Sequence, residues 1–333
     1  MTKITHIIDA LPESEHFVKL LRREDLFLTA PPPSVMKLWR DHESLAVTHF
    51  AQEWKPAKFA PPRDIFSCDS LRLEWQQMDN RQPFYHRNAD VDEISYQVSG
   101  ERTLMTELGT VELRTGDFSR IPVGIAHDNW GRKEIHLLFY VIANAVDMGP
   151  VVGKAEIKQS PFEGWKPNSS AIEMITECLG AKGCDISVSH VDEDLLLHGS
   201  LQESTDSDTK LVIQRPTAKD SEAEWLYKSA RVWIGNVHLN VTKGETYRSH
   251  RRATAVHCQI SGTRTLVSQR GTVELQPGDF VSIPRGSGYT SICKEESSYI
   301  LILAADDVAL KSEITKKAET SSVGSVAEIR ASF

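Results

Sequence analysis

QVSGERTLMTELGTVELRTGDFSRIPVG, residues 97–124, returns as QISGTRTLVSQRGTVELQPGDFVSIPRG at residues 259–286, with 17 of 28 positions identical. A similarity of this depth at a separation of 162 residues implies two copies of one structural unit in the chain. Inside each copy, short alternating runs such as RTLMTELG, TVELR and DFSRIP are bounded by Gly, Pro and Asp. That texture belongs to a β-barrel or sandwich. It continues outward through IFSC, LRLEW, EISYQVSG and IHLLFYVIA, so the first copy is expected over 65–146 and the second over 225–308.

The flanks read differently. Residues 10–28, ALPESEHFVKLLRREDLFL, carry Phe17, Leu20, Leu21 and Leu28 between charges, which predicts an amphipathic helix ended by Pro31 to Pro33. SVMKLWRDHESLAVTHF adds a second short helix, and 1–64 is expected as a partly helical arm that packs over a barrel or a neighbouring subunit. A homo-oligomer is therefore expected. Residues 147–224 are expected as a connector with extra strands, being too long for a plain linker. Residues 309–333 form a polar, Ser- and Ala-rich tail, either a surface helix or loose.

A chain of 333 residues is long enough for two cores. The net charge of −8 supplies no basic footprint, so neither nucleic acid nor an anionic membrane surface is expected as a partner. No apolar run has the length of a signal peptide core or a membrane span. The five cysteines are an odd number without a Cys-x-x-Cys pair, which argues against a disulfide framework and points to a reducing cytoplasm.

Metal-ligand side chains stand within the strand-and-turn pattern between Pro83 and Trp130. His86-x-Asn88-x4-Glu93-x6-Gly100 opens this segment, and Gly116-x5-Pro122-x-Gly124-x2-His127 closes it. Residues two apart on a strand share a face, so His86 and Asn88 both look inward. Glu93, an odd step away, needs a bend, for which the polar run Asn88-Ala89-Asp90 is suited. Two imidazoles and a carboxylate with positions left open suit non-haem Fe(II) and similar divalent ions, including Mn, Ni and Zn. Asp92 stands beside Glu93 as a competing carboxylate. Asn88 is a weak fourth ligand, a donor to substrate, or a group that orients His86. In the second copy the counterparts of His86, Glu93 and His127 are Arg248, Ala255 and Tyr289, so one ion per chain is expected and the second copy is degenerate as a metal site.

The paired strings resemble the two cupin motifs, which usually carry His-x-His, Glu and Gly, then Gly, Pro and His; here Asn88 replaces the second His. With the duplication, the chain resembles a bicupin, which implies an all-β fold of two double-stranded β-helix barrels behind the short helical N-terminal arm. Phe84-Tyr85-His86-Arg87-Asn88 is similar to the iron-binding string of homogentisate 1,2-dioxygenases and their hydroquinone-cleaving relatives, and gentisate dioxygenases are similar bicupins of about this size. The resemblance implies Fe(II) on His86, Glu93 and His127, and ring cleavage of a hydroquinone-type aromatic by dioxygen. His136, Arg120 and Tyr140 are candidate bases or substrate clamps, with Trp130 and Phe84 as candidate ring-binding walls. Two other readings stand beside it: a cupin isomerase or lyase using the ion as a Lewis acid, and a binding bicupin with no catalysis.

Overall fold

The computed structural model describes residues 2–29, 43–57, 60–142, 146–155, 173–196, 211–217 and 222–332. It is mostly β and divides into two compact units, Gln52–Pro216 and a second formed by Met1–Ala51 with Thr217–Phe333. Each unit contains one copy of the repeat.

In the Gln52–Pro216 unit, two 15-residue strands, Asp92–Thr106 and His127–Val141, pair antiparallel along most of their length. Leu71–Met78 lies on the other side of His127–Val141, and Phe118–Ile121 on the other side of Asp92–Thr106. Directly paired residues share a face of the sheet. One face thus runs in rungs: Arg72, Tyr140 and Glu93; then Glu74, Leu138 and Ser95; then Gln76, His136 and Gln97. The opposite face carries Leu73 with Phe139 and Trp75 with Leu137, all buried. A sheet of this kind holds itself together on its apolar side and leaves a polar side for a cavity.

The register of the two long strands shifts between Arg132 and Ile135, and Gly100 makes the shift possible. Its φ is +70°, and a Cβ added there would stand 2.5 Å from the Lys133 carbonyl oxygen and 2.6 Å from Glu134 Cα. Gly262 occupies the same place in the other copy, with φ +64° and Glu296 O at 2.2 Å from an added Cβ. Backbone cannot retreat from such contacts cheaply. Gly100→Ala should therefore lower stability by about 3 kcal/mol, from left-handed strain and the clash together, measurable as a fall in the urea midpoint at unchanged m-value.

The N-terminal arm departs from the helical expectation. Lys3–Ala10 and Ser14–Arg23 are strands, paired antiparallel, and Lys3–Ala10 lies parallel to Thr246–His250 of the second copy. Helix is confined to Glu24–Leu28. The helical spacing of Phe17 and Leu21 was coincidental, since both side chains are exposed, at 65% and 79%. Main-chain pairing of Ser14–Arg23 to Lys3–Ala10, itself half-buried by Ile4 and His6, outweighs that periodicity. Of the expected second helix, residues 34–42 lie outside the described residues, and Ala46–His49 is a strand against Asp279–Ile283. The arm therefore ends at Ala51 as part of the second copy's unit, not at 64 as a separate segment.

Between the two copies, Met174–Leu179 pairs with Cys184–His190 and, in parallel, with Tyr85–Asn88. The tail is a helix, Val323–Ala331, begun by a reciprocal Ser322–Ser325 cap. It is anchored by buried Val326 and by Arg330, which donates to buried Glu24 at 2.6 and 2.7 Å. Among the described residues no helix is long and apolar enough to cross a membrane, and no disulfide joins the five cysteines.

Candidate metal centre

Strand Tyr85–Asn88 delivers His86 and Asn88 to one face, and bends at Ala89 and Asp90 before Asp92–Thr106 begins. The turn lets Glu93 join that face. His127 opens the next long strand, directly opposite His86 in register. His86, Glu93 and His127 each offer a donor atom, and these atoms lie within 4.8 Å of one another. Glu93 Oε2 is 3.1 Å from His86 Nε2 and 3.3 Å from His127 Nε2, with the imidazole centroids 4.1 Å apart.

The donor set fits a divalent cation. His127 donates through Nδ1 to the Ile125 carbonyl at 3.2 Å, so its buried Nε2 presents a lone pair, and that atom has no hydrogen-bond partner. An acceptor nitrogen facing a carboxylate oxygen at 3.3 Å is repulsive unless a cation or proton lies between them. Burial alone would raise the Glu93 carboxyl, but whenever the facing imidazoles carry a proton, His127 and His86 outweigh burial and hold it well below the usual carboxylate range. His86 is pushed down, by burial first and then by His127, and so stays neutral as a ligand must.

The two carboxylates part company in the structure. Asp92 points away, accepting from Arg120 Nε at 2.8 Å and from the Val123 N–H at 3.2 Å. That pairing also takes Arg120 out of the site. Asn88 Nδ2 donates to Glu93 Oε2 at 2.8 Å, so as placed it orients the carboxylate. Gln82 supports the same corner: its amide lies 3.4 Å from His86 Nδ1 and accepts from Asn129 at 3.2 Å.

Beside the cluster lies a cavity of ≈ 570 Å³ lined by His86, Asn88 and Glu93 together with Phe84, Leu138 and Tyr140. Trp130 is not among its walls; it packs near Tyr85 and carries Arg132 at 5.1 Å from its ring. His136 is fully buried and bonded through Nδ1 to Glu134 at 2.9 Å, with its Nε2 unpartnered. It stands one rung deeper than Glu74, on the polar face.

Sequence reading overlooked Arg72, Glu74 and Gln76, which also line the cavity. Their signal was the alternation in LRLEWQQM, but alternation alone assigns polar residues to solvent. Arg72 lies over the Tyr140 ring at 4.1 Å and contacts Glu74. Burial raises Glu74 to about 7 against the opposing pull of Arg72, leaving a carboxyl that exchanges a proton near neutrality. The Tyr140 hydroxyl is held far above its ordinary value by burial and by Glu93 and Glu74, so it stays protonated.

No family model and no curated protein matches the chain. Among solved structures it is similar to a cupin 2 conserved barrel protein from Leptotrichia buccalis, at 9% identity and TM-score 0.48, covering 79% of this chain and 97% of that one. It is similar to an oxalate decarboxylase variant from Bacillus subtilis, at 13% identity and TM-score 0.49, over 90% and 88% of the two chains. A salicylate 1,2-dioxygenase variant from Pseudoaminobacter salicylatoxidans, in complex with gentisate, gives 10% identity and TM-score 0.44 over 84% and 90%. At these identities and TM-scores the likeness carries no weight for the chemistry of this chain.

Proposed function

We propose that the chain is a bicupin whose first barrel holds one Fe(II) on His86, Glu93 and His127 and cleaves the ring of a hydroquinone-type aromatic with dioxygen. The unpartnered, buried Nε2 of His127 facing Glu93 carries the metal assignment. An aromatic substrate suits the adjoining cavity, where Met78, Phe84, Leu138 and Tyr140 offer apolar contact beside polar groups that include Arg72, Glu74 and Gln76. When bound, a ferrous ion supplies the means of joining dioxygen to an electron-rich ring, which neither side chains nor solvent provide.

The residues of the chain supply the rest. Glu74 takes the proton of a substrate hydroxyl at its carboxylate, since its raised affinity matches a general base working near neutral pH. Arg72 keeps that carboxyl in place and lies against Tyr140, whose ring forms one wall. Asn88 fixes the lone pairs of Glu93 by donating to Oε2. His136, held by Glu134 and fully buried, is not among the residues that line the cavity and takes no part in this reading.

The test is anaerobic purification, measurement of bound metal, reconstitution with Fe(II), and oxygen uptake with hydroquinone, homogentisate, gentisate and aminophenols. About one ion per chain is expected, because Arg248, Ala255 and Tyr289 replace the ligands in the other unit. Uptake matched to loss of the aromatic ring supports the reading. Turnover of a keto or sugar acid without oxygen would replace it with Lewis-acid isomerisation or lysis, and two tightly held ions would contradict the one-site assignment.

A further inference from the structure

The register that sets His86 opposite His127 also sets Arg248 opposite Tyr289 in the other unit. Ala255, opposite Ile283, stands where Glu93 stands opposite Ile121. The three exchanges reverse the charge that a ligand must carry. A carboxylate and two acceptor nitrogens require a cation; a guanidinium with a methyl group in place of the carboxylate favours an anion.

We propose that the unit formed by Met1–Ala51 and Thr217–Phe333 binds a small carboxylate with a compact apolar or aromatic body, its charge on Arg248. Arg248, Tyr289 and Tyr299 line both an open cleft of ≈ 820 Å³ and an adjoining recess of ≈ 90 Å³. Trp225, Val237 and Leu301 give the recess an apolar wall. A second donor lies close by. Arg264 donates to His257 Nδ1 at 3.1 Å, and a guanidinium cannot accept, so the His257 proton sits on Nε2. That N–H is buried and unpartnered, on a ring 5.0 Å from Tyr289 and 4.6 Å from Tyr299.

Three carboxylates stand nearby: Asp9 and Glu222 line the recess, and Glu222 and Glu245 the cleft. Asp9 is tied through Oδ1 to His250 at 2.9 Å, with Oδ2 buried and without a hydrogen-bond partner, and His250 in turn meets the Tyr289 hydroxyl at 2.8 Å, which fixes the phenol at the cleft wall. Arg248 already contacts one carboxylate, that of Glu222, whose side chain is 67% exposed. A pair so open to water is weak, and an incoming carboxylate that also fills the recess displaces it. Glu222 shows the kind of group the guanidinium receives.

The experiment titrates 4-fluorobenzoate into full-length, metal-free protein and follows ¹⁹F line width and shift, with chloride matched throughout. Removing metal prevents the probe from binding an ion at His86, Glu93 and His127. One saturable site is expected. Arg248→Met should weaken binding by about tenfold, the worth of one charge-assisted contact. Glu222→Gln should tighten it by about threefold, by removing the competitor. His86→Ala, in the other unit, should leave it unchanged. Absence of saturable binding, full affinity in Arg248→Met, or loss in His86→Ala would each overturn the proposal.

Discussion

Glu93→Ala is expected to abolish retention of metal through desalting, while Asp92→Ala keeps most of it. Glu93 is the anionic donor in the cluster, and its carboxylate lies within 3.3 Å of both imidazoles. Removing it leaves two neutral nitrogens, which hold a divalent ion too weakly to survive dilution. Asp92 spends its oxygens on Arg120 and the Val123 N–H instead. Its loss strips a buried partner from Arg120 and costs about 2 kcal/mol of stability, without touching the ion. Metal per chain after desalting, beside a urea titration of each variant, separates the two effects. Metal lost from Asp92→Ala and kept by Glu93→Ala would move the ligand by one residue.

Glu74→Gln is expected to lower kcat/KM by about a hundredfold, a typical share for a general base, and to flatten its pH profile. The wild-type profile should fall below about pH 7, where Glu74 becomes protonated. A bound cation draws the midpoint lower, so the limb shifts toward acid in the loaded protein. Stability of the metal-free protein gives an independent readout. The folded value of about 7 lies above the ordinary 4.5, so the contribution of Glu74 is complete below about pH 4.5 and is lost as pH rises through about 7. The difference is on the order of 3 kcal/mol, and Glu74→Gln should remove it. An unchanged pH profile with normal kcat in Glu74→Gln would assign the proton transfer elsewhere.

The repeat and the ligand spacing made much of this molecule legible before any coordinates. A 162-residue echo identifies two units, because a side-chain pattern that folds once folds again. His86, Glu93 and His127 could be grouped because turn residues between them fix which face each strand presents. Arg72 and Glu74 could not, since a strand with alternating character does not say which side faces water. The arm was misread for a different reason. Its fate depends on a partner strand at Thr246–His250, and no local periodicity reports a pairing made across more than 230 residues. The value of Arg248 was hidden likewise: the repeat showed which residues replace the ligands, while the strand pairing showed that Arg248 and Tyr289 stand directly opposite each other.

The parallel pairing of Lys3–Ala10 with Thr246–His250 sets an order of events during synthesis. Residues 1–51 leave the ribosome first, yet their partner strand is translated only after the whole Gln52–Pro216 unit has emerged. At roughly 5–20 residues per second, that is a delay of about ten seconds or more. Throughout it, the nascent segment carries Ile4, Phe17 and Leu21 with no sheet to join. Slowing translation between the two strands should raise the fraction of chains that aggregate.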